Sequence, residues 1–111
     1  MNIDCICYKH GMIKKLSDRD DLKSVELKDD AIPDEVRRLV EKNDLISLYG
    51  KIGMKEGASP IEYEELTIVS GERTAEVQIF NKGMSMFLQE TPELKRVFEV
   101  CCRLQRMIKR E

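Results

Sequence analysis

The chain opens on an almost unbroken apolar run, Ile3-Asp4-Cys5-Ile6-Cys7-Tyr8, the pattern of a strand covered on both faces. Lys9-His10-Gly11 follows as a turn in which Gly11 is free to take a positive φ. Met12 to Leu16 then returns as the partner strand of a hairpin. Residues 17–30 are rich in Asp and Lys, with Leu22, Val25 and Leu27 as the only sizeable apolar side chains. That spacing fits an exposed loop, one helical turn, or an edge strand through Val25-Glu26-Leu27, and the pattern does not choose among them.

The period then changes from strand to helix. Pro33 suits a first helical position, and Asp34 and Glu35 behind it favour the positive end of the helix dipole. Val36, Leu39 and Val40 form one stripe, and Leu45, Leu48, Tyr49 and Ile52 a second. At about 100° per residue the second stripe lies roughly opposite the first. Either the chain bends at Asn43-Asp44, or one helix over 33–52 buries both sides, with its own sheet on one and a partner on the other. Gly50, Gly53 and Gly57 end this element, and Pro60 keeps it from resuming.

Three strands come next. The first covers Ile61 to Val69 and ends at the hairpin turn Ser70-Gly71-Glu72-Arg73. The second alternates, with Ala75, Val77 and Ile79 inward and Thr74, Glu76 and Gln78 outward. Asn81-Lys82-Gly83 makes the next turn, and in the third strand Met84, Met86 and Leu88 share one face while Phe87 takes the other. Thr91 and Pro92 open a final helix as N-cap and first residue. Leu94, Val97, Phe98, Cys101, Leu104 and Ile108 form its core stripe. Arg96, Arg103, Arg106, Lys109 and Arg110 cover much of the opposite surface, crowding toward the C-terminal end of the dipole.

Composition narrows the picture. At 111 residues the chain is expected to form a single α+β domain, 1–111, with one modest core. Hydrophobic residues make up 41% and charged residues 36%, ordinary for a soluble globular protein. A formal charge of −2 argues against a whole-molecule affinity for nucleic acid or acidic membrane. No apolar run approaches the ~18 residues needed to span a bilayer, and the start Met1-Asn2-Ile3-Asp4 lacks the character of a signal peptide, so a cytoplasmic location is expected. There the four cysteines, Cys5, Cys7, Cys101 and Cys102, read as free thiols acting as small hydrophobes.

Little in the chain points to chemistry. Cys7 and His10 make C-x-x-H, half of a zinc site to which Cys5 could add a ligand, but structural zinc takes four ligands from two spaced pairs. Cysteine catalysis needs a thiolate with a base beside it, and nothing marks such a pair around His10, the sole histidine. Neither a catalytic residue, a metal site nor a cofactor is expected. Met84-Ser85-Met86 reads as core. Gly50-Lys51-Ile52-Gly53 has the G-x-x-G shape of a KH-domain clamp, but Gly57 and Pro60 deny it the helix that must follow. The phosphate loop G-x-x-x-x-G-K-[ST] does not occur. The basic face of the last helix, Arg96, Arg103, Arg106 and Arg110, offers an alternative as a nucleic-acid surface, although no aromatic residues interleave with it to stack on bases.

Hairpin, helix, three strands and helix give the order β-β-α-β-β-β-α. This resembles the Roadblock family of dynein-associated light chains and its archaeal and bacterial relatives, within the longin- and profilin-like group. Asp4 through Ile13 is similar to that family's apolar strand, polar turn, glycine and return strand, and Glu65 through Met107 parallels its three strands and closing helix. The resemblance implies an antiparallel sheet of about five strands with helices packed on both faces. It also implies a non-catalytic homodimeric scaffold, often working with a small GTPase or a motor complex. Family dimers form through the middle helix and a neighbouring edge strand, which places self-contact at Leu45, Leu48, Tyr49, Ile52 and Tyr63.

Overall fold

A computed structural model describes residues 2–15, 22–53, 61–82 and 92–109. The elements are strands β1 (Cys5–Ile13) and β2 (Lys23–Lys28), helix α1 (Asp34–Lys42), strands β3 (Tyr49–Gly53), β4 (Ile61–Ser70) and β5 (Arg73–Phe80), and helix α2 (Pro92–Lys109). The fold is therefore α+β, and the described residues build a mixed five-stranded sheet in the order β2-β1-β4-β5-β3.

The sheet corrects three expectations. First, Lys9-His10-Gly11 is no turn: β1 runs straight through it, paired antiparallel with β2 on one side and with β4 on the other. Two flanking strands occupy the backbone groups that a turn would have left to water, and the proposed return strand from Met12 does not form within residues 12–15. Second, the sheet is not purely antiparallel, because β3 lies parallel to β5 at one edge. Third, the two described helices do not straddle the sheet. Val36 and Val40 of α1 and Leu94, Val97, Cys101 and Leu104 of α2 join one core cluster with Ile6, Tyr8, Leu66, Ile68, Val77 and Ile79, all from the same sheet face.

The helix expected over 33–52 stops at Lys42, which selects the bend at Asn43-Asp44. Asn43 donates from Nδ2 to the Leu39 carbonyl at 3.0 Å, and Asp44 adopts the left-handed conformation, φ 49° and ψ 48°. Leu45–Ser47 then makes a 3₁₀ turn that delivers Leu45, Ile46 and Leu48 into the core. Leu45 and Leu48 of the second stripe thus join the same core as the first, with Ile52 packed against it, whereas Tyr49 is left exposed.

Other expectations hold. Residues 23–28 form the edge strand, one of the three alternatives. The β4–β5 hairpin turns at Gly71, and Ala75, Val77 and Ile79 are buried as the alternation requires. In α2 the stripe Leu94, Val97, Cys101, Leu104 and Ile108 is buried, joined by Val100, while Phe98 is only half-buried. The strand expected at 84–88 lies outside the described residues. No described helix is long and apolar enough to cross a membrane.

Candidate functional site

Alternation along the strands gives the sheet two unlike faces. The face away from both helices carries Cys5, Cys7 and Lys9 from β1, Glu26 from β2, Glu65 and Thr67 from β4, Glu76 and Gln78 from β5, and Tyr49 from β3. A concavity of about 460 Å³ lies along it, lined by Lys9, Gly50, Glu65, Thr67, Glu76, Val77 and Gln78. Two of its polar groups are tied together by Tyr63, whose hydroxyl donates to Glu65 Oε1 at 2.5 Å and accepts from Gln78 Nε2 at 2.8 Å. One end of this face is closed by a small apolar cluster of Ile13, Tyr63 and Phe80, the two rings meeting edge to face at 5.3 Å. Beyond the concavity, Tyr49 on the outer strand β3 is 82% exposed.

On the same face Cys5, Cys7 and Glu26 come together. Cys5 and Cys7 are two apart on one strand, and Glu26 is the register partner of Cys7 on β2. The two Sγ atoms are 3.7 Å apart, and Cys7 Sγ donates to Glu26 Oε2 at 3.4 Å. Burial, with these two hydrogen bonds and the nearby negative charge, pushes the Cys7 thiol up to about 12. The hydrogen bond from Cys7, helped by Lys28, holds the Glu26 carboxyl below its ordinary value. These three residues could hold a cation. The C-x-x-H pair does not assemble, because residues three apart on a strand face opposite ways: Cys7 meets Glu26, whereas His10 Nε2 lies 3.2 Å from Glu62 Oε2.

Across the sheet is a second polar cluster, fully enclosed. Glu64 is 0% exposed and Lys82 5%, with Lys82 Nζ 2.9 Å from Glu64 Oε1. The Tyr8 hydroxyl donates to the same oxygen, Lys82 Nζ lies 3.8 Å from Cys102 Sγ, and the ammonium stands 5.2 Å from the centroid of the Phe98 ring. Burial and then the Glu64 charge push the Tyr8 phenol far up, and burial does the same to Cys101. For Lys82, burial pulls downward, but attraction to Glu64 outweighs it and the ammonium is held above its ordinary value. Glu64 Oε2 is buried without a hydrogen-bond partner among the described residues. An enclosed ion pair of this kind fixes how β4, β1 and α2 meet and does not expose a reactive atom. The signal in the sequence is parity: Glu64 shares its strand face with Leu66 and Ile68, so its carboxylate falls among buried positions.

Of the residues expected at a dimer contact, Leu45, Leu48 and Tyr63 are at most 8% exposed and pack within their own chain. Ile52 is half-buried against the core, and Tyr49 is exposed. The basic residues are also partly engaged. Arg96 donates to the carbonyls of Asn43 and Asp44, both at 2.7 Å, and to Ser47 Oγ at 3.1 Å, clamping the bend after α1. Arg103 pairs with Glu35 at 2.9 Å, Arg106 is exposed, and Arg110 lies outside the described residues. Comparison with protein-family models, with curated proteins and with solved structures finds no match.

Proposed function

We propose that the protein is a non-catalytic interaction module that pairs with a second copy of itself through the β3 edge and the adjoining open face of its sheet. The observation that carries this reading is Tyr49: a large aromatic side chain, 82% exposed, on an outer strand of the described sheet. Exposed tyrosines of this kind are typical anchors of protein contacts, and an outer strand offers backbone groups for sheet extension. Tyr49 is the member of the expected contact set that a partner can reach most fully, so it replaces Leu45 and Leu48 at the centre of the proposal. The finer Roadblock-like assignment, with a small GTPase or a larger complex as further partner and the cytoplasm as location, belongs with this proposal. The parallel β3–β5 pair stands apart from the antiparallel sheet that this assignment implies. Nucleic-acid binding by α2 is less favoured, since Arg96 and Arg103 already serve internal contacts.

Light scattering on a size-exclusion column tests the reading. The expected mass is near twice 12.9 kDa. Tyr49→Ala should weaken association by about thirtyfold, as loss of an anchor worth about 2 kcal/mol does. The same change should leave thermal stability within about 0.5 kcal/mol, because the side chain is mostly exposed. A monomer at every concentration, or a dimer indifferent to Tyr49→Ala and Tyr49→Asp, contradicts it.

A further inference from the structure

We propose that Cys5, Cys7 and Glu26 form a binding site for a thiophilic divalent cation of the zinc type, with the fourth coordination position left to water. Two thiolates on one tetrahedral zinc, each at about 2.3 Å, stand about 3.8 Å apart, and a thiolate and a carboxylate oxygen about 3.6 Å apart. The corresponding separations here are 3.7 Å between the sulfurs and 3.4 Å from Cys7 Sγ to Glu26 Oε2. All three donor atoms lie within 4.8 Å of one another. Two of the three donor–donor separations are thus already those of the required tetrahedron, and closing the third brings Cys5 and Glu26 together.

The scaffold and the surrounding charge favour the same occupant. Both cysteines sit on β1, which is paired on both sides, and Glu26 faces them from β2 at the register of Cys7. Lys28 Nζ lies 3.3 Å from Glu26 Oε1, which orients the carboxylate and leaves Oε2 toward the sulfurs. On binding, each thiol gives its proton to solvent. Two thiolates, a carboxylate, a dication and the Lys28 ammonium then sum to no net charge. Three protein donors leave one position open, as in zinc sites that keep a water.

The test uses the full chain, reduced and stripped of metal, titrated with cobalt(II) as a spectroscopic probe and then with zinc. The expected result is one cobalt per chain, a thiolate-to-cobalt charge-transfer band in the near ultraviolet, and displacement of that band by zinc. Cys5→Ser and Cys7→Ser should each weaken binding by about 100-fold or more, and Glu26→Gln by about tenfold, while Cys102→Ser leaves it unchanged. A measurement on the unaltered chain guards against misfolded variants: zinc should slow alkylation of Cys5 about tenfold and leave Cys102 untouched. Absence of the band overturns the proposal. So does a band that survives the Cys5→Ser/Cys7→Ser double variant, or alkylation of Cys5 indifferent to zinc.

Discussion

The two faces of the sheet set the same chemistry in opposite circumstances. On the helix side, Tyr8, Glu64 and Lys82 form a hydrogen-bonded ion pair from which water is excluded. On the open side, Cys5, Cys7 and Glu26 form a cluster of similar size whose carboxylate is exposed. Cys7 and Tyr8 are neighbours in the chain, so alternation along one strand sends one donor to each environment. Enclosure makes the first cluster a structural joint, because an enclosed charge that loses its partner is strongly unfavourable. The second cluster, with half-buried thiols and an exposed carboxylate, lies open to solvent on one side.

The largest expected effect tests the enclosed joint. Lys82→Ala leaves Glu64 buried and unpaired and should destabilise the fold by about 3–5 kcal/mol, read as a lower denaturant midpoint at unchanged slope. Replacing both partners with Glu64→Gln and Lys82→Met should recover much of that loss. Glu26→Gln on the open face should stay within about 0.5 kcal/mol. Equal losses at the two sites would erase the distinction between the faces.

Alkali should act on the helix side as well. Tyr8, Lys82 and Cys101 are all held above their ordinary values in the folded chain. The unfolded chain releases these protons near the ordinary values, about 8.5 for cysteine and about 10 for tyrosine and lysine. Between those values and the raised folded ones, the folded state binds more protons, so its stability is complete at lower pH and falls as pH rises. Denaturation midpoints should decline from about pH 9 upward. Tyr8→Phe, which removes one of these groups, should make the decline shallower, and a flat profile to pH ~11 would contradict the assigned directions.

A smaller contrast lies within β3. Gly50 and Gly53 both have positive φ, 94° and 93°, but a Cβ on Gly53 would stand 2.1 Å from the Phe80 carbonyl oxygen, whereas one on Gly50 meets nothing within 4 Å. Gly50→Ala should cost about 1 kcal/mol of backbone strain, and Gly53→Ala distinctly more, since it also forces β3 away from β5. Thermal unfolding of the two variants separates strain from contact.

Much of this was legible in the sequence wherever the signal was local. Alternation at Ala75, Val77 and Ile79 identified β5, the stripe from Leu94 to Ile108 identified α2, and Pro33 with two acids behind it marked the start of α1. What escaped depended on distant partners. Lys9-His10-Gly11 has turn composition, yet β2 and β4 hold it extended. Leu45, Leu48, Tyr49 and Ile52 carry helical spacing, but a 3₁₀ turn and a short parallel strand use them instead, and pairing with β5 leaves no local trace. For the candidate site, the shared direction of Cys5 and Cys7 followed from their spacing. Their meeting with Glu26 required the β1–β2 register, which the sequence does not display.

The division between the faces is the central claim, and alkylation of the native, reduced chain with each cysteine followed by mass spectrometry tests it most directly. Cys5, half-buried on the open face, should label without unfolding. Cys101, fully buried on the inner face of α2, should label only through opening of the fold, about 1,000-fold more slowly or slower still. Comparable rates at Cys5 and Cys101 would mean that the helix side is not closed, and the account of both clusters would fail with it.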